Sequence, residues 1–268
     1  MTTRTRNIRI VLCSALLVLF AGWVVASNEA TSHISVPVGH YVEKDTSSIM
    51  LLNTLRSITQ ARKAVVDNIT NSKTISYKRN LVRFIDRSTV AMNRDFSQGG
   101  LIKTDRSLDF AISGNGFVSV SDDAGNLFYT RCGILKKSPD GHLILTKGFS
   151  LEPAITVPTD AVKISIARDG SISCQSPCGS ESTIGNIQLS RFPNDEGLSY
   201  KGMGLFSATE QSGTSMMGTP GSDGFGEIHA GFVESSNVNE SEEIRILEEL
   251  MDFEDQVRNA LDIVRMRK

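Results

Sequence analysis

The sequence predicts an α+β fold in which N- and C-terminal helices pair as a coiled-coil-like hairpin around an inserted, mostly antiparallel β domain. Three observations predict it: a helical apolar stripe near residues 49–70, short apolar runs separated by turn residues over 108–208, and a second helical stripe near the end. With 268 residues and 40% hydrophobic content, the chain can bury one large core or two small ones.

The first helix is predicted over residues 49–72. Its apolar residues recur at spacings of three and four, and Ser47 or Ser48 is available as its N-cap. A polar segment with Pro37 and Gly39, residues 28–48, precedes it and reads as a linker. Residues 73–107 follow it and are less regular, which favours an extended connection.

The β domain is predicted over residues 108–212. Asp140-Gly141 and Asp169-Gly170 are strong hairpin signals, and Ala124-Gly125-Asn126 marks a further turn. Residues 213–235 are rich in glycine, which indicates a return segment from the β domain toward the last helix.

The last helix is predicted over residues 236–268. Asn239 and Glu242 form a capping-box pattern at its start. Its stripe alternates spacings of four and three, the period of a coiled-coil seam, and comprises Ile246, Leu250, Phe253, Val257, Ala260 and Val264. This face needs a partner, which is either the β domain or the first helix.

The N-terminus carries a targeting signal. Arg4, Arg6 and Arg9 precede an uncharged apolar run over residues 10–26, and residues 1–27 therefore read as a signal peptide or a membrane anchor. The run is long for a cleaved signal and short for a spanning helix, so both alternatives stay open. Either one places the rest of the chain outside the cytosol.

The net charge of -2, with scattered Lys and Arg, argues against a nucleic-acid partner.

No enzyme class is favoured by the sequence. Its four histidines are dispersed, and neither HExxH nor Gly-x-Ser-x-Gly occurs, so no catalytic, cofactor-binding or metal-binding residue is predicted. Cys174 and Cys178 lack the CxxC spacing of redox sites, and a local disulfide between them competes with free thiols. A thiol enzyme remains a hypothesis based on their proximity alone. Asp122 to Asn126 reads as a hairpin tip rather than a calcium loop.

Four blocks of the sequence resemble, in order, the bacterial flagellar rod and hook protein family. Residues 67–79, DNITNSKTISYKR, are similar to the family signature that follows its first helix, roughly NNLANVNTxGFKR. The similarity continues through 107–117, SLDFAISGNGF, through 129–133, YTRCG, and through 231–239, GFVESSNVN. Residues 151–158 and 218–226 look most like the distal rod members. Ser76 stands where the signature has glycine, so a left-handed backbone there would be strained.

The resemblance implies a structural polymer rather than an enzyme, with no cofactor. In this family the terminal helices pack into the inner wall of a hollow axial shaft that transmits torque across the periplasm. The expected partners are further copies of the chain, other rod and hook subunits and the surrounding ring proteins, with inner-membrane insertion by residues 10–26 as an option. The expected assembly interface comprises Leu51, Leu55, Ile58, Val65, Asn68, Ile69, Asn71, Asn237, Asn239, Ile246, Leu250, Phe253, Val257 and Val264.

Two departures from the family leave other interpretations open. Family members are normally exported without a cleaved signal, so residues 1–26 favour as an alternative a membrane-tethered periplasmic binding module with a rod-protein-like fold. Met50-Leu51-Leu52 also resembles the family's own start, which makes a misassigned translation start a third possibility.

Overall fold

Two long helices stand at either end of the part of the chain that the structure describes. The computed structural model describes residues 39–86 and 88–266, with side chains from residue 46 onward. Helix α1 spans Gly39–Thr70 and helix α2 spans Glu240–Met266. The predicted signal peptide or anchor, residues 1–27, lies outside the described residues. Within the described ranges, no helix combines the length and apolarity needed to cross a bilayer.

Eighteen strands lie between these helices in the described residues. The strands are β1 (Asn80–Phe84), β2 (Val90–Arg94), β3 (Leu101–Lys103), β4 (Asp109–Ser113), β5 (Phe117–Ser121), β6 (Leu127–Thr130), β7 (Gly133–Lys137), β8 (Leu143–Leu145), β9 (Ser150–Glu152), β10 (Lys163–Ile166), β11 (Ser171–Gln175), β12 (Glu181–Asn186), β13 (Leu189–Arg191), β14 (Ser199–Gly202), β15 (Leu205–Ser207), β16 (Met216–Gly218), β17 (Glu227–Ala230) and β18 (Phe232–Glu234).

The strands form one large sheet and three small ones, all with antiparallel pairing. The large sheet has the order β14-β15-β6-β5-β9-β8-β7-β4-β17, and β13 joins it by pairing with β5 and β16. Strands β10, β11 and β12 make a separate three-stranded sheet, while β1 pairs with β2 and β3 with β18. The β3–β18 pair matters most for the site, because it joins residues from before and after the large sheet, with Ile102 opposite Val233.

The main core fills the space between the large sheet and the three-stranded sheet. Its buried side chains include Phe110, Ile112, Val120, Leu135 and Ile228 from the large sheet and Ile166 and Ile172 from the smaller one. A second core consists of Leu198 and four aromatic residues, Phe117, Tyr129, Phe192 and Phe206, and the half-buried Phe96 packs against it.

The predicted hairpin turns are confirmed. Gly170 closes the β10–β11 turn with a φ of +83°, and its N–H donates to Ala167 O at 3.1 Å. A Cβ at this position would lie 2.3 Å from Ile187 O, so only glycine fits without rearrangement. Gly141 has a φ of +88° beside β8. Asp122 is a hairpin-tip residue whose carboxylate accepts hydrogen bonds from Ala124 N and Asn126 N, as a turn residue does.

The predicted coiled-coil-like hairpin of the two helices is wrong, although the β domain is present. The apolar cluster between them contains Ala61, Val65 and Leu250, but side chains of the β1–β2 hairpin occupy the same cluster. Phe84 of β1 meets Phe253 edge-on at a centroid distance of 6.2 Å. The seam residues of α2 therefore pack on β1 and β2 as well as on α1, and polar pairs complete the contact. Apolar periodicity alone could not identify this third element.

The boundaries of several segments differ from those read off the sequence. Helix α1 begins at Gly39, inside the segment interpreted as a linker. Residues 73–107 hold β1, β2 and β3, and residues 213–235 supply β16, β17 and β18. These strands are three to five residues long and carry little apolar alternation, which is why the sequence pattern indicated connections.

Candidate functional site

A buried carboxylate, Glu234, joins the two ends of the β-rich region. It is the last residue of β18, and its side chain is fully buried. Lys78 Nζ lies 2.7 Å from one carboxylate oxygen and Arg131 Nε lies 2.5 Å from the other. Gly99 N also donates to Glu234 Oε1 at 2.9 Å. Two cations and an amide thus compensate the loss of water around a buried carboxylate. We call Lys78, Arg131 and Glu234 the charged junction.

Backbone carbonyls also accept hydrogen bonds from the two cations of the charged junction. The guanidinium of Arg131 donates to Gly114 O at 2.9 Å, to Gly116 O at 2.8 Å and to Ile112 O at 2.8 Å. Lys78 Nζ donates to Ser97 O at 2.6 Å. Burial lowers the pKa of Lys78, while the Glu234 carboxylate opposes that shift. Each side-chain nitrogen of Lys78 and Arg131 has at least one acceptor, so the network is suited to holding elements together.

Ser76 lies beside the charged junction with a left-handed backbone, the conformation that would be strained for a residue other than glycine. Its φ is +58°, and the residue is buried. Its N–H donates to Glu234 O at 2.8 Å, and its hydroxyl donates to Arg131 O at 3.0 Å. A left-handed backbone costs a non-glycine residue about 1–2 kcal/mol. The two hydrogen bonds offset part of that cost and connect the segment after α1 to the junction.

Asn68 joins α1, β1 and α2 through a single amide side chain. It is fully buried. Its Nδ2 donates to Asn80 O at 2.9 Å and to Glu243 Oε2 at 3.0 Å. Its Oδ1 accepts from Asn80 N at 2.8 Å and from the Tyr77 hydroxyl at 3.2 Å. All the hydrogen-bonding capacity of this amide is used within the chain.

Asn237 and Asn239 fix the start of α2. Asn237 Oδ1 accepts from Arg79 N at 2.8 Å, and its Nδ2 donates to Asp95 O at 2.8 Å. Asn239 Oδ1 accepts from Glu242 N at 3.3 Å, which is the predicted N-cap contact. The segment before α2 is therefore tied to Arg79, which precedes β1, and to the residues that follow β2.

Ion pairs also link α2 to the first part of the chain. Glu254 pairs with Arg62 of α1 and accepts from Arg258 Nε at 3.0 Å. Hydrogen bonds from Arg258 and Arg62 hold the pKa of Glu254 below its ordinary value. Arg79 pairs in the same way with the buried Glu243.

The residues predicted for the assembly interface divide into three groups by exposure in the isolated chain. Ile58, Val65, Asn68, Leu250 and Val257 are buried. Leu51, Leu55, Ile69, Asn71, Asn237, Ile246, Phe253 and Val264 are partly exposed, and Asn239 is exposed. The buried group packs inside the chain.

The opposite faces of the helices carry exposed apolar residues that the sequence reading did not select. On α1 these include Leu52 and Val66, which are 40% and 45% exposed. On α2 they include Ile244 and Met251, which are 43% and 49% exposed. Each set follows helical spacing, which is the signal that could have identified it.

The three described cysteines are free thiols, so the alternative of a Cys174–Cys178 disulfide is wrong. Cys132 and Cys174 are buried, whereas Cys178 is exposed in the β11–β12 turn. Hydrogen bonds from the Ser176 and Ser180 hydroxyls lower the pKa of Cys178 to about 7. Among the residues that the structure describes, no group of three or more His, Cys, Asp or Glu side chains is placed to hold a metal ion.

Comparison with known proteins connects this architecture to the axial proteins of the flagellum. Residues 111–174 match the family model described as the flagellar hook protein FlgE/F/G D1 domain. Flagellar basal-body rod protein FlgG of Agrobacterium fabrum is 30% identical over 212 residues, which cover 68% of this chain and 81% of the relative.

Two further relatives show how the similarity is distributed. FlgG of Buchnera aphidicola subsp. Baizongia pistaciae is 40% identical over 156 residues, 58% of this chain and 60% of the relative. The match therefore spans about 60% of the length of the Buchnera protein. Flagellar hook protein FlgE of Salmonella typhimurium is 38% identical over 87 residues, 32% of this chain and 22% of the relative.

Proposed function

The chain belongs to the bacterial flagellar rod and hook protein family, and on that premise we propose that it is a structural subunit of the basal-body rod, in the distal rod branch of the family. In this role it polymerises with further copies of itself and contacts other rod and hook subunits and the surrounding ring proteins. Its activity is mechanical: the polymer forms a shaft across the periplasm that transmits torque for motility.

The observation that carries this proposal is the charged junction. Lys78 follows α1, Arg131 lies in the β domain and Glu234 precedes α2, so one buried network ties both helices to the sheet. A subunit that transmits torque must not let its helices rotate against its outer domain. A buried network of paired charges resists such rotation, because opening it would leave charges unpaired in a low-dielectric interior.

The exposed helix faces add a second supporting observation. A subunit that contacts its neighbours through two different surfaces generates an open helical polymer when the rotation between copies does not close. The outward sides of α1 and α2 are two such surfaces, and both carry apolar residues that water now covers.

Peptide mass spectrometry of purified hook–basal-body complexes tests the proposal. We expect peptides of this chain in the complexes, and we expect non-motile cells that lack hooks when the gene is deleted. Recovery of the chain only in the general envelope fraction, also in cells without basal bodies, would reject the rod role and favour a membrane-tethered binding module.

The same experiment reports on the N-terminal segment. A most N-terminal peptide beginning near Ser27 would indicate export by a cleaved signal, and one beginning near Met50 would indicate a translation start inside α1. A peptide from residues 1–26 would indicate that the apolar run stays in the mature subunit, anchored in the inner membrane.

A further inference from the structure

We infer that the outward face of α1 in one copy of the chain docks on the outward face of α2 in the next copy, with basic side chains meeting acidic ones. This inference rests on the proposed function, which requires contacts between copies, and it names the two surfaces that make one of them. We call these the basic face of α1 and the acidic face of α2.

The basic face of α1 consists of Leu52, Arg56, Thr59, Lys63 and Val66. These residues follow spacings of four, three, four and three, so they lie on one side of the helix, and all are exposed. The opposite side of α1 carries the buried Ile58, Ala61 and Val65. Within the described part of the chain, Arg56 and Lys63 make neither an ion pair nor a side-chain hydrogen bond. Two cations beside two apolar groups are thus directed toward solvent.

The acidic face of α2 consists of Ile244, Glu248, Met251, Asp255 and Asp262. Ile244 to Asp255 also follow spacings of four, three and four, and all five residues are exposed. Glu248 and Asp255 have no ion-pair or side-chain hydrogen-bond partner among the described residues, while Asp262 makes a long pair with Arg265 at 3.8 Å. The buried side of α2, with Leu250, Val257 and Leu261, lies away from this face.

The two faces match in spacing as well as in charge. Arg56 and Lys63 are seven residues apart, and so are Glu248 and Asp255. Seven helical residues rise about 10.5 Å, so both cations can meet both carboxylates when the helices lie side by side. Thr59 lies in the middle of the basic face, between its two cations. Met251 lies in the middle of the acidic face, between two of its carboxylates. The apolar residues would lose contact with water at the same time.

Charges beside the two faces do not cancel the match. Asp67 is exposed near the end of the basic face. Arg258 is exposed beside the acidic face, but its guanidinium is already held by Glu254, with Nη2 at 2.5 Å from Oε1. The central charges of each face therefore keep one sign, positive on α1 and negative on α2. The inward sides of α1 and α2 face the same cluster within one chain, so a contact between the two outward faces connects different copies, head to tail.

Paired charge reversals test the contact with the full-length chain. One variant carries Arg56→Glu with Lys63→Glu, and the other carries Glu248→Lys with Asp255→Lys. Each variant alone would place like charges opposite each other, and we expect its self-association in sedimentation velocity to weaken at least about tenfold. An equimolar mixture of the two should restore association, because every contact between unlike variants again joins opposite charges.

A matched control for the first variant is Lys136→Glu with Lys163→Glu, which changes the net charge by the same amount on exposed positions of the β domain. It should associate as the unmodified chain does. Raising the salt from about 0.05 M to about 0.5 M should weaken the mixture and the unmodified chain alike. Circular dichroism verifies that each variant is folded.

Three outcomes would overturn the inference: both reversed variants associating like the unmodified chain, a mixture no better than its components, or no association of the unmodified chain and the mixture. These outcomes are independent of the proposed function. The chain could occur in basal bodies without using these faces, and the faces could bind each other in a chain that basal bodies lack.

Discussion

Lys78 and Glu234, which are 156 residues apart in the sequence, form an ion pair at 2.7 Å in which both side chains are fully buried. The pair exists because the two strands of the β3–β18 sheet bring the segments after α1 and before α2 together. Arg131 binds the second carboxylate oxygen, so the β domain is part of the same contact.

Replacing Glu234 should be severely destabilising. In Glu234→Ala, Lys78 and Arg131 keep their charges but lose the carboxylate that compensates them, so we expect the free energy of unfolding to fall by about 3–5 kcal/mol. Urea denaturation followed by circular dichroism measures the change. Glu210→Ala, at an exposed position, should change it by less than about 0.5 kcal/mol. Equal effects of the two substitutions would mean that the charged junction contributes nothing.

Asn68 and Asn71 belong to the same sequence motif but should differ in effect. Asn68→Ala removes four hydrogen bonds of a buried amide and leaves Glu243 and Asn80 with fewer partners, so a loss of about 2 kcal/mol in the free energy of unfolding is expected. Asn71→Ala removes only local hydrogen bonds and should cost less than about 0.5 kcal/mol. Denaturation curves of the two variants, recorded side by side, measure both losses in the free energy of unfolding. A larger loss in Asn71→Ala than in Asn68→Ala would contradict the structural role of Asn68.

Two substitutions of Ser76 distinguish the cost of backbone strain from the contribution of its hydroxyl hydrogen bond. Ser76→Ala and Ser76→Gly both lose the hydroxyl bond to Arg131 O, but only alanine retains a Cβ at a φ of +58°. We therefore expect the glycine variant to be more stable than the alanine variant by about 1 kcal/mol. Thermal unfolding of both variants measures the difference. An alanine variant of equal or greater stability would show that the left-handed backbone is not strained here.

Cys178 should be the most reactive of the three described thiols. Its pKa is about 7, so about half of it is thiolate at neutral pH, and it is exposed, whereas Cys132 and Cys174 are buried. Brief treatment with iodoacetamide followed by peptide mass spectrometry should label the Cys178 peptide first, with a midpoint near pH 7. In Ser176→Ala with Ser180→Ala the midpoint should move upward toward the ordinary thiol value. An unchanged midpoint would rule out the two hydroxyls as the cause.

The pairing of Glu254 should appear as a pH dependence of stability. Its folded-state pKa is lowered by Arg258 and Arg62, so the folded chain binds fewer protons than the unfolded chain at moderately acidic pH. The stabilisation is therefore complete above the unfolded value of about 4.3 and is lost as the pH falls through the lower folded value.

Glu254→Gln provides the comparison for this pH dependence. At pH 7 the variant should be about 1 kcal/mol less stable than the unmodified chain, and the difference should shrink toward zero in acid. Guanidinium denaturation between about pH 3 and pH 7 measures this difference in the free energy of unfolding. A difference that persists unchanged at the acid end would mean that the carboxylate charge is not the source.

Local features of the fold were predictable because local chemistry determines them. The turn at Gly170 follows from an Asp-Gly pair between two apolar runs, and the start of α2 follows from Asn239 and its acidic first turn. For Ser76 the sequence indicated only that a left-handed backbone would be strained, and the structure shows that Ser76 adopts it, with a φ of +58°.

The contacts that join distant segments were not predictable in the same way. Lys78, Arg131 and Glu234 each lie in a motif block that the sequence comparison singled out, yet no periodicity relates them. Likewise, the stripe on α2 indicated an apolar partner without identifying Phe84 of β1 as one. The sequence assigned the assembly interface to the more apolar side of each helix, and the structure packs Ala61, Val65 and Leu250 of that side within the chain.

The β3–β18 pair also has a consequence for the order of events during synthesis. Leu101 to Lys103 leave the ribosome about 130 residues before Phe232 to Glu234, their pairing partners. Until Glu234 has been synthesised, Lys78 and Arg131 lack the carboxylate that they pair with in the folded chain. Strand β3 also lacks the strand that it pairs with. An incomplete nascent chain therefore cannot form the β3–β18 pair or the charged junction. Only a chain translated nearly to its end can form both. Premature products would thus remain open and be recognisable to proteases.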